Sequence, residues 1–238
     1  MAGGVVPEDW VAGCIDGHRR LETLLTTTLD DDVARQPSRL PGWSVGHVVT
    51  HIARNADGHT RVVEAAAAGD VALMYPGGAE GRAADIEAGS VRGAHELLAD
   101  VTASQRRLES AWAALSHAAW AEGLGLRSGN KPSTVSDMAF LRWREVEVHH
   151  ADLGLASPDH WDVLPPAYLD QEWRETTARL ADRVPEGMTL VLVPGDRTSR
   201  AFGTGDKVVH VRGSGGRLLA WLLGRGGDPT WPALAPWS

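Results

Sequence analysis

The chain has one cysteine, two lysines (Lys131 and Lys207), two phenylalanines and two tyrosines in 238 residues. A lone Cys14 can form neither an intrachain disulfide nor an all-cysteine metal site, which fits a reducing compartment and leads us to expect a cytoplasmic protein. With so little lysine and a formal charge of −8, the chain lacks the clustered cations that neutralise phosphates, so no nucleic-acid partner is expected. No stretch approaches the roughly 20 apolar residues that cross a bilayer, and no basic start precedes an apolar run, so neither a membrane span nor a secretory leader is expected. What is present is 43% hydrophobic residues, enough to bury the core of one large domain or two modest ones.

Helical periodicity dominates the first 155 residues. Asp9 is placed to cap a first helix with Trp10, Val11, Cys14, Leu21, Leu24 and Leu25 on its apolar face. Pro37, Pro41 and Gly42 break the chain, and Ser44 caps a second helix whose stripe runs Val45, Val48, Val49, Ile52, Ala56 and Val63 and ends near Gly69. Residues 70–89, including Tyr75 and Arg82, show no period and read as a loop. A third helix follows Ser90 with Leu97, Val101, Leu108 and Trp112 at helical spacing, and Gly123, Gly125, Gly129 and Pro132 then form another break. The fourth begins near Thr134, with Asp137 completing a capping-box pattern, and reaches about Leu153.

Four long helices predict a four-helix bundle over residues 1–157. Beyond it, 158–238 reads as a smaller α+β domain, which makes the fold class α+β. Pro165 and Pro166 open one helix, 188–193 is a strand, and 199–202 with 207–211 read as a hairpin across Gly203 and Gly205. Ser214 caps a last helix that stops at Gly224.

The fourth helix carries the chemical signal. At about 100° per residue, Met138, Leu141, Glu145, Val148, His149 and Asp152 share one arc, so a carboxylate and an imidazole stand where the period predicts apolar residues. An unpaired buried charge costs several kcal/mol, so both need partners. Glu145 and His149, one turn apart, can reach a common point, and the second helix offers His47, His51 and Asn55 at the same spacing on one face. Two histidines and one carboxylate would leave one position open on a metal, the arrangement of catalytic rather than structural zinc. Spacing alone does not choose between His47 and His51. Cys14, on an apolar stripe, reads as a packed small hydrophobe.

Three separated segments, LPGWSVGHVVTHIARNA from Leu40, RWREVEVHHADLG from Arg142 and LGRGGD from Leu223, resemble the mycothiol-dependent maleylpyruvate isomerases. The resemblance implies a DinB-like metal-binding bundle followed by a small C-terminal α/β domain. It implies that the ligands of a divalent metal, usually zinc, are His51, Glu145 and His149, and that His47 is a neighbour. It implies that Arg225 and Arg82 contact substrate as catalytic residues, with Arg225 and Asn55 also facing the bound thiol.

The implied cofactors are the metal and mycothiol, and the implied reaction is the cis-to-trans conversion of maleylpyruvate to fumarylpyruvate in an actinobacterial cytoplasm. Thiol addition, bond rotation and elimination would accomplish it without redox. The expected partners are a small thiol and a small dicarboxylate, and the protein is expected to be a monomer or small homo-oligomer. Two other readings stand beside this one. One is a mycothiol S-transferase acting on another electrophile, as in natural-product assembly, and the other a non-catalytic binding protein with a structural metal. His59 and His150 are read as surface residues or as supports behind the ligands.

Overall fold

The computed structural model describes residues 6–155 and 158–236. The chain divides into two compact units, Met1–Ala156 and Ser157–Ser238. Of the expected boundary at 157–158, residue 157 lies outside the described residues.

The first unit is built on four long helices, α1 (Glu8–Thr28), α3 (Val45–Ala67), α5 (Ala94–Ala114) and α7 (Val135–Asp152), with three shorter ones, α2 (Asp31–Arg35), α4 (Gly78–Ser90) and α6 (His117–Glu122). Helix α3 is central and packs against α4, α5 and α7, and α1 packs against α5 and α7. Leu21, Leu25, Val45, Val48, Ile52 and Leu97 meet in the dry core between α1, α3 and α5. Burying each such side chain stabilises by about 1.5–3 kcal/mol. Ser44 caps α3, accepting from the His47 amide, and the Ser44 amide donates back to His47 Nδ1. Thr134 caps α7 in the same way, accepting from the Asp137 amide.

Three local expectations change. Helix α1 starts at Glu8 behind Pro7, and Asp9 sits in its first turn, where it favours the helix dipole without capping. Residues 78–89, expected as loop, lie in α4, which runs to Ser90. Four alanines stand against three glycines in it, and Ile86 is its one buried large apolar side chain, so no apolar stripe announces the helix. The glycine-rich break before α7 holds a hairpin of β1 (Leu124–Arg127) and β2 (Lys131–Thr134). A Cβ at Gly125 would stand 2.2 Å from Val62 Cγ1, so only glycine lets this hairpin lie against α3.

In the second unit α8 (Pro166–Ala178) and α9 (Gly215–Leu222) accompany a three-stranded sheet of β3 (Met188–Pro194), β4 (Arg200–Phe202) and β5 (Lys207–Gly213). The expected 199–202/207–211 hairpin is not formed. The strand order is β4-β3-β5, with β4 antiparallel and β5 parallel to β3. The connection crosses the start of β3, and a Cβ at Gly205 would fall 1.8 Å from the Gly187 carbonyl carbon. The glycines that look like a turn therefore permit a crossover. Leu190, Leu192, Phe202, Val211, Leu218 and Leu222 form this unit's core. The fold is α+β.

Candidate metal centre

Helices α3 and α7 bring three side chains to one point. His51 Nε2 is 2.9 Å from Glu145 Oε2 and 3.0 Å from His149 Nε2, and His149 Nε2 is 3.3 Å from the same Glu145 oxygen. Ligands about 2.0–2.1 Å from a tetrahedral zinc stand roughly 3.3 Å apart, so these three atoms have the spacing of three ligands on one ion. Among the described residues this is the group of histidine and carboxylate atoms that could hold a metal. His149 Nδ1 is 2.9 Å from the buried Asp152 Oδ2, a carboxylate behind the imidazole that fixes ring orientation and raises ligand basicity.

His47 is not in the group. Its Nδ1 closes the cap with Ser44, and its Nε2 lies 3.1 Å from Glu87 Oε2. Trp43 stacks on His47 and meets His51 edge-on, a wall that separates the two imidazoles' surroundings.

The electrostatics follow from crowding. Burial opposes the charge on Glu145, but hydrogen bonds from His149 and His51 hold its carboxyl well below the usual range. Burial pulls His51 down against its bond to Glu145. Burial also opposes the charge on His149, but it lies between Asp152 and Glu145, which together raise it.

His51 and Glu145 of the triad line a cavity of about 140 Å³ whose lining also includes Asn55, His59, Tyr75, Arg82, Arg127 and Ser128. Arg82, on α4, donates from Nη2 to His51 Nδ1 at 3.0 Å and lies over the Tyr75 ring. Asn55, one turn beyond His51, donates from Nδ2 to Tyr75 at 3.4 Å. A larger groove of about 680 Å³ between α3 and α5, walled by Ala67, Ala103 and Ala111, brings no metal-ligating set together among the described residues.

Behind the cavity lies Arg142, fully buried on α7. It donates to Ile52 O at 3.0 Å, to Asn55 Oδ1 at 2.7 Å, and from both Nε and Nη2 to His18 Nε2 at 3.2 Å. His18 therefore carries its proton on Nδ1 and donates to Glu109 at 2.8 Å.

Several of these residues escape a reading of the sequence. Arg142 and Glu147 are buried although they fall off the predicted arc, because α7 is enclosed on several faces. His59 and His150 are buried, so the surface reading of both is corrected. His59 continues the spacing of His47, His51 and Asn55, a signal available in the sequence, whereas Arg127 reaches the cavity only through the unforeseen hairpin. Arg225 belongs to the second unit, where its backbone amide closes the end of α9 on Ala220 O and its Nη1 donates to Leu223 O.

The profile of the mycothiol maleylpyruvate isomerase N-terminal domain matches residues 15–154. Two solved structures are similar over all of this chain and all of theirs. A mycothiol-dependent maleylpyruvate isomerase is 26% identical with a TM-score of 0.86, and a histidine-to-alanine mutant of such an enzyme is 25% identical with a TM-score of 0.84. No curated protein matches.

Proposed function

The chain belongs to the mycothiol maleylpyruvate isomerase family, and from that premise we propose that it is a mycothiol-dependent maleylpyruvate isomerase working at a metal held by His51, Glu145 and His149. The observation that carries the reading is the convergence of three ligand atoms, 2.9–3.3 Å apart, beside a cavity that His51 and Glu145 line. Two imidazoles and one carboxylate suit zinc and also other divalent ions.

A metal there supplies the Lewis acid that keeps a thiol as thiolate, and the thiol supplies the reversible addition that frees rotation about the substrate's double bond. The residues of the chain do the rest. Asp152 holds the His149 ring with Nε2 toward the ligand point. Met74 and Leu141 line the cavity and limit water beside the polar groups. Asn55 is held by Arg142 and so presents its amide at a fixed angle. Arg82 has the reach and charge to pair with a substrate carboxylate or with the enolate that develops on addition. A ligand histidine giving Nε2 to a metal keeps its proton on Nδ1 and cannot accept from Arg82, so that guanidinium would turn to substrate. Arg225 is assigned as a second substrate contact on the family's pattern alone. We place the enzyme in the cytoplasm, as a monomer or small homo-oligomer acting on small molecules. No helix among the described residues is long and apolar enough to cross a membrane.

The family profile covers the bundle that holds the triad but not the second unit, which favours keeping a mycothiol S-transferase as a second reading. Incubation with mycothiol and maleylpyruvate, followed by fumarylpyruvate formation, separates the two. We expect turnover that requires both metal and mycothiol. A rate no faster than that of mycothiol alone would defeat the isomerase reading.

A further inference from the structure

Two side chains on the cavity wall, Arg127 and His59, take no part in holding the metal. Arg127, at the end of β1, has its Nε buried and without a hydrogen-bonding partner among the described residues, and so has Nδ1 of His59, which is 2% exposed. An N–H or ring nitrogen stripped of water and left unpaired costs about 1–3 kcal/mol, and such groups are few in a folded protein. Here both line one cavity.

The chain brings them there deliberately. Residues 72–74 run beside β1, with the Met74 amide donating to Leu126 O and the Leu126 amide to Ala72 O. Tyr75 and Arg127, the next residues on each side, therefore reach the same space. His59 lies two turns, about 12 Å, along α3 from His51, so the cavity extends well past the metal ligands.

Charge decides what fits. The lining includes two arginines, Arg82 and Arg127, and one carboxylate, Glu145, which both triad histidines already engage. His59 stays neutral, because burial drives its pKa to about 3 beside the charges of Arg142 and Arg127, so it offsets neither arginine. A divalent ion would add further positive charge. An anion with at least two acceptor atoms would balance that charge, and a carboxylate matches a guanidinium fork in shape as well as sign.

We propose that Arg127 and His59 form a carboxylate-binding subsite of the metal cavity, which holds one end of a small dicarboxylate while its reactive carbons lie toward His51, Glu145 and His149. Only the identification of that dicarboxylate with the isomerised substrate rests on the reading given above. The subsite itself rests on the cavity, the Arg127 N–H and the unpaired His59 nitrogen, which serves a carboxylate as the Nδ1–H tautomer.

The test is calorimetric titration of the metal-loaded protein with maleate, with maleic diamide as the uncharged control, on wild type, Arg127→Gln, Arg127→Lys and His59→Gln. Circular dichroism and metal content establish that each variant is folded and loaded. We expect wild type to bind maleate and not the diamide. Arg127→Gln should weaken maleate by about 10- to 100-fold, the worth of a charge-assisted hydrogen bond, Arg127→Lys by less, and mycothiol binding should stay unchanged. Equal maleate affinity in wild type and Arg127→Gln, or no maleate binding by wild type, would overturn the subsite. A variant that lost mycothiol and kept maleate would overturn it too. Arg127-dependent maleate binding in a protein that does not isomerise maleylpyruvate would support the subsite while defeating the proposed reaction.

Discussion

Helix α7 carries two polar clusters a single turn apart, a buried one around Arg142 and a half-buried one around Glu145 and His149, and they differ in whether they are finished. Arg142 directs its nitrogens to Ile52 O, Asn55 Oδ1 and His18 Nε2, and His18 donates its Nδ1–H to Glu109. Glu145 and His149, with His51 across the way, point three ligand atoms at one another, two of them imidazole nitrogens 3.0 Å apart. A buried charge is thus not by itself a sign of function. The sign is a set of atoms that satisfy each other badly and a common partner well. Asn55 joins the two, accepting from Arg142 and donating toward Tyr75 in the cavity.

The largest effect should come from removing a ligand. We expect His51→Ala to bring metal content well below one per chain and to lower kcat by about 1,000-fold or more, since a Lewis acid contributes several kcal/mol of charge stabilisation. His47→Ala, four residues away, should retain metal and most activity, because its partners are Ser44 and Glu87. Elemental analysis and initial rates check both. A metal-free His47→Ala would move the centre.

Next is the closed cluster. Arg142→Met keeps much of the volume but strands Asn55 Oδ1 and leaves His18 Nε2 only the Cys14 thiol, and a buried polar atom left without its partner costs about 1–3 kcal/mol. Urea unfolding should show that loss, while molecules that remain folded still carry metal. If folded Arg142→Met binds no metal, the two clusters are one functional unit and the contrast fails.

This contrast also explains what could be read from the amino-acid order. The caps Ser44 and Thr134 and the apolar stripe of α3 are local features, and they gave the bundle its boundaries. Glu145, His149 and Asp152 were legible because they interrupt a period. Arg142 was not, since its burial depends on α1 closing over α7 and bringing His18 to it. Arg127 was hidden by a hairpin whose glycines read only as a break. Helix α4, which carries Arg82, was missed because Ile86 is its one buried large apolar side chain and leaves no stripe. The crossover at Gly205 looks in sequence like a tight turn, and only the strand order tells them apart.

The closed cluster should also have its own pH signature. Burial holds His18 neutral, with its pKa lowered to about 4 against the pull of Glu109. Once unfolded it takes up a proton near pH 6.5, so between those values the unfolded state binds more protons and stability falls as the pH falls. The slope from one such histidine is at most about 1.4 kcal/mol per pH unit. Urea midpoints for wild type and His18→Gln, measured from pH 7 to 4, should converge as acid is added. Parallel curves would show that His18 is not held neutral.

The smallest expected effect concerns the one sulfur in the chain. Cys14 is fully buried on α1, its thiol pushed up to about 12 by burial, partly countered by Arg142. Its Sγ lies 3.6 Å from His18 Nε2, in the closed cluster rather than the cavity. A thiol that stays protonated and unreachable cannot add to a double bond, since the thiolate is the nucleophile. Cys14→Ser should therefore keep kcat and KM within about twofold, and the native protein should not react with a thiol reagent until unfolded. Loss of turnover in a folded, metal-loaded Cys14→Ser protein would place the reacting sulfur inside the chain and remove the need for an external thiol.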